Sequence, residues 1–348
     1  MKQLIVPTGY MGSGSSAATD IISEIDGYRA DNGTFEYVFL HCPGGVFDLE
    51  DKLLLGNNAL RSDEALHTFE KTMRQLYDKK YWWVGNYEKR VSPRFMELTE
   101  AYINRLIMSK PDFYWYQQEN TNFRMFCQLC LRRLVSYLTF GQIKLKKPLL
   151  YPEIWLSLPS PEEFYQISQE YITSILIEMG IEEKNLILDQ LLLPFNLFRV
   201  DHYFGDNLHV FNIYRDPRDV FIINKYIWPG RNETVPFPTD AEAFASVYRR
   251  IRTSERACES TKVHRFAFED LIYHYEESLT RIYDCLGVTA EMHVAKGTAF
   301  QPEKSIENTQ LFLADAVYQE EADRIAEMLP EYLYDFPYPR VPKTSQTF

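Results

Sequence analysis

The sequence predicts an α/β fold class: a doubly wound parallel sheet flanked by helices, with a helical insertion at residues 60–150, all within a single domain over 1–348. Three observations carry this. Short apolar runs alternate with helical patterns along the chain, which is the rhythm of parallel βαβ units. The first run, Leu4-Ile5-Val6, leads into a glycine- and serine-rich turn, GYMGSGSS at Gly9–Ser16, with a helical pattern behind it. A later run, LHVFNIY at Leu208–Tyr214, leads into a charged turn, RDPRD. With 348 residues, 45% of them hydrophobic, the chain is long enough to bury one large core.

The elements follow in order. After the first strand, turn and helix, Glu36-Tyr37-Val38-Phe39-Leu40 predicts a second strand, closed by Pro43-Gly44-Gly45. From about Leu60 to Leu150 the chain reads as helices dense in aromatic and basic residues, among them PRFMELTEAYINRLIM and RMFCQLCLRRLVSYL. Ser160-Pro161-Glu162-Glu163 combines an N-cap serine, a first-turn proline and a capping-box glutamate, so a helix starts there and Gly180 ends it. Strands are predicted at Asn185–Leu188 and Leu208–Tyr214, then a helix from near Asp219, a last strand at His264–Phe268, and a helix over Leu271–Leu286 stopped by Gly287. Only the tail, PYPRVPKTSQTF, reads as loosely ordered.

The net charge of −12 speaks against broad binding to nucleic acid or to an anionic membrane, so an anion site must be a local pocket. The absence of a signal-type leader and of any apolar run near 18 residues predicts a cytoplasmic protein with no membrane span. Five scattered cysteines, an odd number, fit a reducing compartment. Cys127-x-x-Cys130 has no second ligand pair and lies in an amphipathic helical pattern, so buried core thiols are expected there.

Two stretches carry anion chemistry. GYMGSGSS matches the phosphate-loop template G-x-x-x-x-G-K-[ST] except that Ser15 stands where the lysine belongs. Gly12, Ser13 and Gly14 let backbone amides curl around an oxyanion at a helix N-terminus, with the hydroxyls of Ser13, Ser15 and Ser16 as further donors. Arg215 and Arg218 of RDPRD offer planar forks that match phosphate oxygens, or else pair with Asp216 and Asp219 at a helix start. In an open parallel sheet both turns face one crevice at the carboxyl ends of the strands.

On these residues the chain resembles the sulfotransferases that use 3′-phosphoadenosine 5′-phosphosulfate. Ser13-Gly14-Ser15-Ser16 is similar to the family's S-G-T-T turn, and VFNIYRDPRDVF to the segment whose arginine, here Arg215, grips the 3′-phosphate. RFAFEDLIYHYEESLTRIYDCLGV resembles the family's Y-E-D-L segment and its helix, and FQPEKSIENTQLF a late loop over the nucleotide, with Lys304 and Ser305 as matching positions. Three departures stand out. Gly12 replaces the basic residue that precedes S-G-T-T, Ile223 with Asn224 beside it replaces the 3′-phosphate serine, and the cytosolic branch's histidine base would fall near Leu193.

The resemblance implies sulfuryl transfer from that nucleotide to a hydroxyl acceptor, a carbohydrate or small alcohol, with no metal. The expected base is Glu36, as in the polysaccharide and tyrosine branches, with His41 as competitor because its ordinary pKa suits base work at neutral pH. Asp189 and Gln190 are placed to hold the acceptor. The cation missing at Gly12 must come from the insertion, Lys225, Arg231 or Lys304, of which Lys304 is favoured. Trp82, Trp83, Tyr114, Trp115 and Tyr116 form either an acceptor wall or helix core. Two alternatives stay open: a kinase or nucleotide hydrolase that has lost its loop lysine, and a nucleotide-binding relative without turnover.

Overall fold

The computed structural model describes residues 2–30, 35–79, 84–111, 123–145 and 154–341. Its strands are β1 (Leu4–Gly9), β2 (Tyr28–Ala30), β3 (Asn185–Ile187), β4 (Leu208–Tyr214) and β5 (Val263–Ala267). They form one sheet in the order β2-β3-β1-β4-β5, and every neighbouring pair is parallel.

Parallel pairing demands a crossover between successive strands, and helices supply each one. Helix α1 (Ser16–Ser23) links β1 to β2. Between β2 and β3 lie α2 (Val46–Leu54), α3 (Ala59–Asp78), α4 (Tyr87–Arg90), α5 (Phe95–Leu106), α6 (Phe123–Leu138) and α7 (Pro161–Glu178). One-turn α8 (Val200–Tyr203) precedes β4, and α9 (Pro217–Ile222), α10 (Trp228–Gly230) and α11 (Ala241–Ser254) precede β5. After the sheet come α12 (Asp270–Tyr273), α13 (Tyr275–Leu286), α14 (Pro302–Ser305) and α15 (Ala316–Met328).

Side-chain alternation divides the core into two faces. Leu4, Val6, Leu186, Leu208 and Val210 point to one face, where Phe69, Phe95, Phe164 and Tyr171 of the long helices cover them. Ile5, Ile187, Phe211 and Ile213 point to the other, against Ile21 and Ile22 of α1 and Leu279 and Ile282 of α13. The start of α7 is the capping box the sequence implied: Glu163 N donates to Ser160 Oγ at 3.2 Å and Ser160 N to Glu163 Oε2 at 2.9 Å. No described helix is long and apolar enough to cross a membrane.

Four expectations are corrected. The run from Glu36 to Leu40 is not a strand, and the sheet's edge is Tyr28–Ala30 instead. Phe35, Tyr37, Phe39 and Leu40 are apolar because helices bury them, while the backbone turns at Val38, whose carbonyl accepts from both His41 N and Cys42 N. The predicted helix over Leu271–Leu286 is two, α12 and α13, meeting at His274. Cys127 and Cys130 are exposed, not core. Of the tail, 342–348 lie outside the described residues, while Arg340 is held in place, its amide donating to Gln310 Oε1 at 3.0 Å and its guanidinium pairing with Glu307.

Candidate functional site

The chain leaves β1 toward the β3 side and leaves β4 toward the β5 side, so the carboxyl ends of these two neighbours form the sheet's topological switch point, the place where open parallel sheets bind ligands. The loop Gly9–Ser16 follows β1 and Arg215 follows β4, so the two stand side by side at that point. Ser13 N donates to Tyr10 O at 2.9 Å, and Gly12 and Gly14 take φ of +84° and +80°, which glycine alone adopts freely. A Cβ on Gly14 would sit 2.6 Å from the Phe268 ring. Among the described residues the amides of Gly14, Ser15 and Ser16 have no acceptor, and α1 starts directly behind them. A set of such amides at a helix N-terminus attracts an anion.

Arg215 closes the loop from the β4 side. Its Nη1 donates to Gly12 O at 3.2 Å and its Nη2 to Asn308 O, and its guanidinium lies 4.6 Å over the Phe268 ring. The residue is only 3% exposed, so the charge is desolvated, and burial lowers its pKa against the pull of Asp219, Glu269 and Asp216. Arg215 Nε and Ser13 Oγ are buried donors that lack an acceptor among the described residues. Unmet donors in a buried place are costly unless something completes them.

The other flank is a hydrogen-bonded chain. Gln190, at φ +57°, accepts from Thr8 Oγ1 at 3.1 Å and donates to Ser15 Oγ at 3.1 Å. His41 Nε2 lies 2.8 Å from Gln190 O; a carbonyl only accepts, so Nε2 carries the proton. Burial lowers the His41 pKa, which keeps the ring neutral. Asp189 accepts from Thr19 Oγ1 at 2.5 Å through its carboxylate and from Tyr37 N at 3.0 Å through its carbonyl. Burial pushes Asp189 up to about 6; burial, then Asp189 and Glu24, push Asp20 to about 6. Glu36 is raised as well, by burial and then by Asp189. Carboxyl groups that share one low-dielectric spot hold their protons into the range where acid–base exchange is useful.

Arg218 and Asn224 make bonds within the protein. Arg218 forks onto Asp216, Nε to Oδ1 at 3.0 Å and Nη2 to Oδ2 at 2.7 Å, with its guanidinium 4.3 Å from the Phe312 ring, so two of its nitrogens hold the turn. Asn224 is fully buried and bonds Phe237 O, Pro238 O and Phe237 N, so its amide faces a loop and not an anion. Lys225 is paired with Glu321. Lys304 is exposed on α14, without an ion pair among the described residues, and Ser305 ends the same helix, three residues ahead of Asn308. Trp82, Trp83, Tyr114, Trp115 and Tyr116 lie outside the described residues. Among the described residues no group of three or more His, Cys, Asp or Glu is arranged to hold a metal.

No family model matches the chain, and no curated protein matches it. Solved structures do. The sulfotransferase domain of the Synechococcus PCC 7002 olefin synthase is 14% identical, with 97% of this chain and 98% of that one covered and a TM-score of 0.39. Sulfotransferase STF9 from Mycobacterium avium is 11% identical over 98% and 78% of the two chains, TM-score 0.34. Sulfotransferase STF1 from Mycobacterium tuberculosis H37Rv is 12% identical over 89% and 76%, TM-score 0.32. Likeness at this level carries no argument about activity, which rests on the residues themselves.

Several residues of the site carry no motif. Thr19 and Asp20 stand one helical turn beyond Ser15 and Ser16, so their spacing alone turns them toward the same side. Trp228 gives no such signal: it arrives through α10, where a Cβ at position 12 would lie 3.4 Å from its ring and 3.4 Å from Val220 Cγ1. Asn308 reaches Arg215 through its backbone carbonyl, which no side-chain pattern records.

Proposed function

We propose that the protein is a sulfotransferase that moves a sulfuryl group from 3′-phosphoadenosine 5′-phosphosulfate to a hydroxyl of a carbohydrate or small alcohol. The observation that supports the reading is the bond from Arg215 to the Gly12 carbonyl, which joins the two anion signals, with Ser13 Oγ and Arg215 Nε beside it as buried donors. Anionic oxygens fit those two groups. In this reading Gly12, Ser13, Gly14, Ser15 and Ser16 hold the 5′-phosphosulfate, and Arg215 with Ser305 serves the 3′-phosphate. Bound there, the donor supplies sulfur: its S–O bond to phosphate breaks as the acceptor oxygen bonds to sulfur, and the acceptor's proton passes to a base.

Glu36 is the proposed base, because burial and Asp189 raise its proton affinity above that of an ordinary carboxylate. His41 is a positioning residue: its Nε2–H holds the Gln190 carbonyl, and the Gln190 amide in turn orients Ser15. Lys304 is the proposed replacement for the loop lysine, as an exposed ammonium that swings in when donor binds.

Calorimetry with adenosine 3′,5′-bisphosphate, ADP, and ADP with Mg²⁺ tests the ligand class. Preference for the bisphosphate supports the reading; Mg²⁺-dependent preference for ADP replaces it with the kinase alternative. Bisphosphate binding without transfer of labelled sulfate to any hydroxyl acceptor leaves a binding protein.

A further inference from the structure

The average charge of −12 conceals a segment of the opposite sign. Residues 123–145, α6 and the turn after it, contain Arg124, Arg132, Arg133 and Lys144 and not one Asp or Glu; Lys146 and Lys147 follow directly in sequence. Not one of the 16 residues of α6 is buried. Phe123, Phe126, Leu131, Leu134 and Tyr137 of the helix and Phe140 beyond it are all exposed, Phe123 at 82% and Phe140 at 96%. A helix of a globular protein ordinarily hides its apolar stripe against the core, and large apolar side chains gathered on one exposed element mark a surface that something else covers.

The chemistry of the segment selects what covers it. A second copy would set these cations against the same cations. A nucleic acid would match the cations and leave most of the alkyl surface in water. An anionic bilayer surface meets both needs, since lipid headgroups take the guanidinium and ammonium groups while Phe, Leu and Tyr enter the acyl boundary. At 16 residues the helix is about 24 Å long, and with three arginines it suits lying in the interface, not spanning it.

We infer that α6 is an interfacial helix that docks the protein onto an anionic lipid surface. The docking is local: the rest of the chain is acidic and is repelled by the same surface, which orients the molecule with α6 toward the lipid.

Co-sedimentation of the full chain with vesicles tests this, using phosphatidylcholine alone and phosphatidylcholine containing about one third phosphatidylglycerol. The expected result is binding to the anionic vesicles only, weakened as salt rises. Arg132→Glu with Arg133→Glu should weaken it by at least about thirtyfold, since each cation contributes about 1 kcal/mol, roughly fivefold in affinity. Phe126→Ser with Leu134→Ser should weaken it by about tenfold or more. Both variants change side chains outside the core, so circular dichroism should be unaltered. No binding, equal binding to both vesicles, or binding indifferent to charge reversal overturns the inference. So does a concentration-dependent dimer in solution that the same substitutions abolish, which assigns the face to a second copy.

Discussion

Replacing Arg215 with lysine keeps the positive charge and removes the planar fork. The native guanidinium donates to two carbonyls, Gly12 O and Asn308 O, and covers the Phe268 ring. A lysine ammonium on a shorter reach keeps at most one of those bonds. The lost charge-assisted hydrogen bond is worth roughly 1.5–3 kcal/mol. Leaving a carbonyl half-met in a site 3% exposed adds to it, while the retained charge still faces Asp219 and Glu269. The expected loss of stability is therefore about 2 kcal/mol, read as a lower urea midpoint with unchanged slope. Binding should respond more selectively. If the fork reads a 3′-phosphate, Arg215→Lys weakens adenosine 3′,5′-bisphosphate by about tenfold or more, since 1.4 kcal/mol is one decade, and weakens adenosine 5′-phosphate far less. Calorimetry on the folded variant measures both. Equal losses for the two nucleotides would refute the reasoning, because the arginine would then be acting only through the shape of the loop.

Three further outcomes are expected. Gly12→Lys, which places a basic residue where the resembling family has one, should lower stability by about 1–2 kcal/mol because φ of +84° is strained for any side chain; a variant with an undiminished melting midpoint and faster sulfate transfer would sink this account. Glu36→Gln should cut transfer by about a hundredfold or more with bisphosphate affinity unchanged; if His41→Gln instead abolishes transfer while Glu36→Gln is mild, the base is the histidine. Burial, with Asp216 beside both, raises Asp219 to about 7 and Glu269 to about 8 in the folded state, so the folded chain binds more protons than the unfolded one between about pH 4 and pH 8. Their contribution is complete below about pH 4 and is lost as pH rises through 7–8. The urea midpoint should fall from pH 5 to pH 9, and Glu269→Gln should flatten that slope; a midpoint that rises over this range, or a slope the variant leaves unchanged, contradicts the burial of these carboxyls.

Much of the fold was legible because local rules acted alone. The runs Leu4–Val6 and Leu208–Tyr214 became central strands because a strand covered on both faces must be mostly apolar. Ser160 and Gly180 bounded α7 because caps satisfy the backbone groups that a helix cannot satisfy itself. The same apolar signal misled at Glu36–Leu40, where burial under helices, not ladder pairing, makes the residues hydrophobic. It misled again at Cys127 and Cys130, where an amphipathic pattern belongs to a helix with no buried residue among the described ones.

The candidate site divides along the same line. By itself the sequence determined the glycine turn and the arginine, since Gly12, Gly14 and Arg215 belong to short motifs whose residues are neighbours in the chain. It also determined that the loop lacks its lysine. Only the tertiary structure decided that Arg218 forks onto Asp216 and that Asn224 bonds the 237–238 loop, because a donor's availability depends on which acceptors the fold brings within 3 Å or so. Only the tertiary structure set Thr19, Asp189, Gln190 and His41 into one chain of contacts, across separations of up to 170 residues. Spacing along a helix or strand is fixed by the backbone's own period, whereas proton affinity and hydrogen-bond supply belong to the place where separate segments meet.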